Sequence, residues 1–385
     1  MKQVTLLLGM FLSIAMISSC SEKKKKYEPK NGDFQITLEV DEYKVVDLLS
    51  DNNQSPIFRA VLDKAQERHV VEGDAFLDAF YNEWINQASN CDQPLRNFFC
   101  SSSYLQYRLE ECCDSDVISI LEEEIIIGMK STIKIIEDRL FGVGFDEYQI
   151  LPVENTFSIQ IVLSPNIDRN RAIRLITSPG RLGLFETYNN KEISPKMDEL
   201  LGDTIYKSNG LVLLSNGTAV VGFTAIKDTS SVNRLLSSET AKRVFPDDLK
   251  LMWGTTNETD TTGHSKLNLY ALHVEEPYGW PLIDEKDIQE AKTKVDKNGR
   301  PFIFLKLNTD GCRKYSLITG RNKGKELIIE IDDVVYSIFT VDAEEMDGRI
   351  NFYSDFNLEE SKDLTQIIIW GSIPLPLKIA NMGFI

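Results

Sequence analysis

The amino-acid sequence predicts an α+β fold with mixed sheets that are covered by helices on one side. Apolar residues recur at helical spacing across residues 42–139, as Phe76, Phe80 and Trp84 illustrate. After Gly144 the apolar period changes to two, and strand-like and helix-like segments then alternate. Residues 34–385 also exceed what one hydrophobic core usually supports, so we expect two subdomains.

The first residues are predicted to be a secretory signal peptide. Lys2 precedes an apolar run that reaches Ile17 without a charge, and this run is too short and wrongly flanked for a membrane-spanning helix. Ile17-Ser18-Ser19-Cys20 resembles the lipobox of bacterial lipoproteins, in which the cysteine thiol receives a diacylglyceryl group. A plain signal peptide with an unrelated cysteine is the alternative. The resemblance implies a signal peptide over residues 1–19, acyl chains on Cys20 and a folded domain outside the cytoplasm, on either membrane of the envelope.

The segment after Cys20 is expected to be a flexible linker. Residues 20–33 are polar and carry four consecutive lysines at 23–26. Contact of these lysines with anionic lipid headgroups is the alternative to a solvated linker. No later stretch reaches the roughly 20 apolar residues of a spanning helix, so the expected membrane contact is the lipid anchor. The formal net charge of −17 argues against a nucleic-acid partner.

The expected elements follow from apolar period and turn residues. A β-branched alternating run at residues 35–40 predicts the first strand, and residues 42–139 are expected to be mostly helical. A β-β-α-β unit is expected next, and Asn216-Gly217 predicts a hairpin in the strand-rich middle. The remaining elements of the expectation are strands near 148–151, 157–163, 182–187 and 302–307, and helices near 169–176, 309–321 and 357–370.

Cysteines and histidines give no catalytic or metal-binding pattern. Outside the cytoplasm, one or two disulfides within residues 91–113 are expected, and the candidates are Cys91, Cys100, Cys112 and Cys113. Cys312 is expected to be a free core thiol. His69, His264 and His273 are isolated from one another and from paired cysteines, so no metal, no cofactor and no enzymatic activity are predicted.

Two long stretches resemble the large extracytoplasmic domain of SecD, a membrane component that helps draw polypeptides out of the Sec channel. The first ends a helix at Arg139-Leu140-Phe141-Gly142-Val143-Gly144 and opens the next at Asp168-Arg169-Asn170-Arg171-Ala172. The second, which is longer and more specific, comprises residues 298–301, 307–311, 318–325, 356–364 and 371–377. SecD also has membrane helices that couple translocation to the membrane potential, and we expect no such coupling in this chain.

The resemblance implies a ferredoxin-like base, an inserted α+β head and a helical N-terminal region. We expect the base at residues 34–195, completed by 372–385, and the head at 196–371. It further implies a non-enzymatic module that binds extended or unfolded exported polypeptides and contacts Sec translocon components, with the head as the expected binding region. The alternative is an envelope lipoprotein that kept the fold but binds another protein or a glycan.

Overall fold

The computed structural model describes residues 27–51, 54–88, 93–99, 103–205, 210–255, 258–259, 265–274 and 279–385. The predicted signal peptide, Cys20, Cys91, Cys100 and His264 lie outside these residues. The chain divides into two compact units, Met1–Pro179 with Ile373–Ile385, and Gly180–Ser372. They are called the first and the second unit below.

The described residues contain both helices and strands, with a run of helices between the first two strands. The helices are α1 (Glu42–Leu49), α2 (Pro56–Glu72), α3 (Phe76–Ala88), α4 (Ser103–Leu109), α5 (Asp114–Gly142), α6 (Arg169–Thr177), α7 (Asn190–Ile205), α8 (Thr229–Leu236), α9 (Glu239–Val244), α10 (Thr309–Arg321) and α11 (Leu358–Trp370). The strands are β1 (Phe34–Val40), β2 (Tyr148–Pro152), β3 (Ser158–Leu163), β4 (Leu182–Thr187), β5 (Val212–Leu213), β6 (Val220–Ala225), β7 (Leu249–Gly254), β8 (Glu258–Thr259), β9 (Ser265–His273), β10 (Ile283–Asp284), β11 (Ile288–Val295), β12 (Pro301–Leu307), β13 (Glu326–Ile331), β14 (Val334–Thr340), β15 (Arg349–Phe352) and β16 (Leu377–Phe384).

The first unit contains a four-stranded antiparallel sheet in the order β16-β1-β3-β2. With helices between β1 and β2 and α6 after β3, this is the β-α-β-β-α-β arrangement of ferredoxin-like folds. In the central strand β1, Ile36, Leu38 and Val40 are buried at alternate positions, as the period of two predicts. The last strand, β16, pairs with β1 although the whole second unit lies between them in sequence.

Helix contacts in the first unit explain two features of its sequence. Gly128 lies in the 29-residue helix α5, where a Cβ atom would come within 2.7 Å of the buried Leu375 side chain. Arg139, on the same helix, is fully buried and donates to the carbonyls of Leu175 and Ser178 at 3.1 and 2.6 Å. Its guanidinium therefore satisfies carbonyl groups at the end of α6 that have no partner within the helix.

The second unit contains a closed ring of strands. β4 pairs with β13, and the pairing continues through β14, β7 and β9, which returns to β4 at Thr187. The buried side chains of Phe185, Leu272 and Ile328 fill the interior next to this closure. β4 was expected to complete a β-β-α-β unit of the base, but it pairs inside the second unit. The observed division at residues 179 and 180 therefore precedes the expected boundary at 195.

A separate three-stranded antiparallel sheet, β11-β12-β15, also belongs to the second unit. Helix α11 lies against β11, where the hydroxyls of Thr293 and Thr365 are 2.8 Å apart. The predicted α+β class and the ferredoxin-like base are confirmed, and the Asn216-Gly217 turn lies between β5 and β6, which pair as an antiparallel hairpin. No helix in the described part of the chain is long and apolar enough to cross a membrane.

Candidate polypeptide-binding edge

β16 is an edge strand, with β1 as its one strand neighbour among the described residues. Two hydrogen bonds fix which backbone groups face β1. Asp41 N donates to Pro376 O at 2.9 Å, and Ile385 N donates to Asp33 O at 3.0 Å. In an antiparallel pair, residues alternate between hydrogen bonding to the neighbour and facing away from it. Allowing for the irregularity between Ile379 and Asn381, the N–H and C=O groups that face away belong to Leu377, Ile379, Met382 and Phe384.

The same residues expose apolar side chains. Ile379, Met382 and Phe384 are 40, 53 and 66% exposed. Their partners in the β1 register are Leu38, Ile36 and Phe34, so these side chains stand on the face whose β1 residues Ile36 and Leu38 are buried. The buried face of the sheet therefore continues onto an uncovered apolar strip at β16.

One end of the strip is held by aromatic contacts. Phe384 packs edge-on against Phe34 with ring centroids 5.4 Å apart. The guanidinium of Arg169, the first residue of α6, lies 5.0 Å from the Phe384 ring and 5.4 Å from the Phe34 ring. These cation–π contacts order the end of the strand while most of the Phe384 ring stays accessible. The strip is thus a pre-ordered surface.

A half-buried carboxyl group lies close to the other end of the strip. Glu42 begins α1 directly after β1, and burial raises its pKa to about 7. The field of His69 and a backbone hydrogen bond from Leu77 lower that pKa, as does Lys378 of β16, whereas Glu39 raises it. On the opposite face of the sheet, Lys378 and Glu39 form an ion pair at 3.5 Å. The protonated form of the Glu42 carboxyl is therefore favoured more than usual beside β16.

Other edges of the described sheets are less suited to pairing with a passing strand. β5 and β10 have two residues each and β15 has four, while β2 ends at Pro152, which has no N–H. β11 is as long as β16, but Lys292 and Lys294 lie at alternate positions in it, and charged edges resist pairing with apolar strands. β16 is the long apolar edge.

Comparison with known proteins identifies the family to which this architecture is related. Residues 273–375 match the family model described as SecDF, P1 head subdomain. The SecD protein translocase subunit of Rhodothermus marinus is 24% identical over 385 residues, an alignment that covers 90% of this chain and 60% of that protein. The chain is thus similar to SecD over most of its length and spans 60% of that relative. The SecDF subunit of Thermus thermophilus is 30% identical over 107 residues, which cover 28% of this chain and 15% of that protein.

Solved SecDF structures are also similar. A crystal structure of SecDF in a super-membrane-facing form covers 99% of this SecD-like chain, and the chain covers 35% of it, at 16% identity and a TM-score of 0.43. A second structure is described as a membrane component SecDF that enhances protein export. Its alignment includes 66% of this chain and 91% of the chain in that structure, at 18% identity and a TM-score of 0.38. Because both scores are below 0.5, the superpositions add nothing to the sequence match.

The sequence-predicted site residues are dispersed in the SecD-like chain. Cys112 and Cys113 are free thiols: Cys112 Sγ donates to Arg108 O at 3.0 Å, and Cys113 Sγ lies 2.9 Å from Ser115 Oγ. Since Cys91 and Cys100 fall outside the described residues, a disulfide between those two stays a prediction. Cys312 is a free, partly buried thiol.

The two described histidines, His69 and His273, make separate local contacts. His69 Nδ1 lies 2.8 Å from Asp74 O, and His273 Nδ1 lies 3.1 Å from Asp248 Oδ2 while its ring stacks on Tyr188. Within the described ranges, no three side chains of His, Cys, Asp or Glu converge as a metal site. The sequence indicated that residues 372–385 complete the base, and β16 does so as an edge strand, but the residue types did not show that its apolar side chains stay exposed.

Proposed function

We propose that this SecD-like chain is a lipid-anchored, non-enzymatic module that binds extended polypeptides during protein export. The observation that carries the proposal is the apolar outer edge of β16, which pairs with no strand other than β1 among the described residues. The relatives with which the chain aligns are named protein translocase subunits, and a protein that crosses a membrane through a channel does so as an extended chain. The binding region of this proposal is the tail strand β16, and the expectation of a binding region within residues 196–371 stays a prediction.

Strand addition explains how one edge accepts many sequences. Every polypeptide carries the backbone N–H and C=O groups that pair with the outward-facing groups of Leu377, Ile379, Met382 and Phe384. Each such hydrogen bond contributes about 0.5–1.5 kcal/mol net, so a few of them give weak, reversible binding. The exposed side chains of Ile379 and Met382 add a preference for apolar residues at alternate positions of the partner. Weak and tolerant binding suits a module that must release what it holds.

The anchor places this edge near the site of export. Acyl chains on Cys20 hold the protein at the membrane surface, because two or more chains anchor stably where one is marginal. Residues 20–33 then act as a polar tether. Through this arrangement the edge meets polypeptides that leave the Sec translocon, and the translocon components are the expected neighbours of the module.

A proline substitution tests the edge without disturbing the β1 ladder. The Met382 N–H faces away from β1, so Met382→Pro removes an outward donor and leaves the pairing with β1 intact. We expect it to weaken binding of a labelled, permanently unfolded polypeptide about tenfold. Met382→Ala is the matched control, since it shortens the side chain but keeps the N–H, and it should bind with a smaller loss.

Equal affinity of wild type, Met382→Pro and Met382→Ala for the unfolded polypeptide would overturn the proposal. Thermal unfolding of both variants establishes that the sheet is intact. In cells, crosslinking from position 382 should capture exported polypeptides and Sec components. Crosslinks to a single folded envelope protein would instead favour the alternative of a retained fold with another partner.

A further inference from the structure

The open face of the three-stranded sheet β11-β12-β15 carries cations and aromatic rings. Cross-strand pairing places Lys292 opposite Phe304 and Lys294 opposite Phe302, and Lys306 opposite Arg349. Residues at the intervening positions, such as Ala291, Ile303 and Ile350, are buried on the side of α11. The alternation of the strands thus puts four cations on one accessible surface of a chain whose formal net charge is −17.

Aromatic rings form the floor of this face. Lys294 Nζ lies 3.6 Å from the centroid of the Phe304 ring, and Phe302 stacks on Tyr353 at 5.0 Å. The Arg300 guanidinium lies 5.4 Å from the Tyr353 ring. The rings are partly buried under the cations, so they offer stacking surface and do not project far enough to insert into a bilayer.

A carboxylate already occupies this face. Among the residues whose pairing puts them there, Glu290 is the one acidic side chain, and it contacts Lys292. A hydrogen bond from Lys292 lowers the pKa of Glu290, and the positive fields of Lys292, Lys306 and Lys294 lower it further. The ionised form of a carboxyl group is therefore favoured at this position. Two further acids lie at the ends of the face, where Asp347 is 3.7 Å from Arg349 and Asp355 is 3.9 Å from Arg300.

The edge strand β11 brings the backbone of a partner to this face. In the described part of the chain, β12 is its one strand neighbour. Asp296 N donates to Arg300 O at 2.9 Å, so alternation turns the N–H and C=O groups of Ala291, Thr293 and Val295 outward. A strand that pairs with these groups places residues opposite Lys292 and Lys294 in the non-hydrogen-bonded positions, where cross-strand side chains approach most closely.

We propose that the β11 edge and its open face bind an extended polypeptide segment that carries Asp or Glu at alternate positions, opposite Lys292 and Lys294. Charge complementarity identifies the partner, because opposite charges directly across a strand pair are favourable and like charges are unfavourable. The charged edge that resists apolar strands thus selects acidic ones. This surface is separate from the β16 edge, so the proposal holds or fails independently of the function proposed above.

The test compares two labelled peptides on the full chain, one with Glu alternating with Val and a matched one with Gln in place of each Glu. We expect the Glu peptide to bind at least about tenfold more tightly at low salt, and Lys292→Glu with Lys294→Glu to remove that preference. Glu290→Gln should strengthen binding, since it removes the carboxylate that competes for Lys292. Lys242→Glu, the same charge change on the exposed helix α9, is the control and should have no effect.

A backbone variant keeps the test independent of charge. Val295→Pro removes an outward-facing N–H and leaves every lysine in place. It should weaken binding of the Glu peptide without lowering the temperature at which the protein unfolds. Equal binding of the Glu and Gln peptides would overturn the proposal. Charge-sensitive binding of vesicles of anionic phospholipid or of a single-stranded oligonucleotide, without binding of the Glu peptide, would overturn it as well, because the face would then be a general anion surface.

Discussion

Phe384, at the end of the last strand, packs edge-on against Phe34, at the start of the first, with ring centroids 5.4 Å apart. This pair joins segments from the two ends of the first unit, and Arg169 lies against both rings. The contact therefore links β16, β1 and α6, which are far apart in sequence. It explains how the base can be completed after the second unit.

Removal of β16 should affect the base more than the second unit. Deleting residues 372–385 removes the strand that pairs with β1 from Phe34 to Val40 and exposes the buried side chains of that strand. We expect faster hydrogen exchange across residues 34–179 and little change in 180–371. Faster exchange confined to 180–371 would show that the tail stabilises the second unit instead.

A side chain at position 128 should destabilise the base through Leu375. The Cβ of Gly128→Ala would lie 2.7 Å from Leu375 side-chain atoms, and overpacking of this kind typically costs about 1–3 kcal/mol. Denaturant unfolding measures the loss. Leu375→Ala should make Gly128→Ala nearly neutral in a double-mutant cycle, because the clash disappears. Additive losses in the cycle would rule out this contact as the cause.

The Glu42 carboxyl should make stability depend on pH. Burial raises the pKa of this group in the folded state to about 7, from an ordinary value of 4.5, so the folded state binds the proton more tightly than the unfolded state. The contribution of this group to the free energy of unfolding is therefore fully present below about pH 4.5 and is lost as the pH rises towards 7. Glu42→Gln removes the effect, so the variant should gain stability relative to wild type between pH 5 and 8, by about 1–3 kcal/mol. A constant difference across that range would contradict the assignment.

Loss of the proposed lipid site should release the protein from membranes. With Cys20→Ala the predicted lipobox has no thiol to acylate, and the linker lysines alone should give salt-sensitive attachment. Fractionation of cells after a high-salt wash is the measurement. Full retention of the variant in the membrane fraction would show that another feature anchors the protein.

The sequence predicted elements better than their pairing. β1, the Asn216-Gly217 hairpin and α10 were predicted from local period and turn chemistry, which are encoded within a few residues. The placement of β4 was wrong because its partner β13 is distant in sequence. Both strands are largely apolar and buried, so their residue types do not show with which strand each one pairs. β16 extends from Leu377 to Phe384, although Asn381 and Gly383 interrupt its apolar pattern.

The candidate edge was less accessible to sequence reasoning than the fold. Ile379, Met382 and Phe384 are residue types normally found in cores, and only the sheet order shows that no strand in the described residues covers them. The lysines of β11 were likewise visible in the sequence, but their shared face with Phe302 and Phe304 follows from the β11–β12 register. Long-range pairing is thus the information that the sequence lacked.

Residue-resolved hydrogen exchange tests strand addition at β16 most directly. In the free protein the amide protons of Ile379, Met382 and Phe384 face away from β1 and should exchange quickly, whereas those of Lys378 and Gly383 should be protected by the ladder. When a permanently unfolded polypeptide is added, the account predicts slower exchange at Ile379, Met382 and Phe384 and no change at Lys378 and Gly383. Unchanged exchange along β16 under conditions where the polypeptide is bound would contradict it.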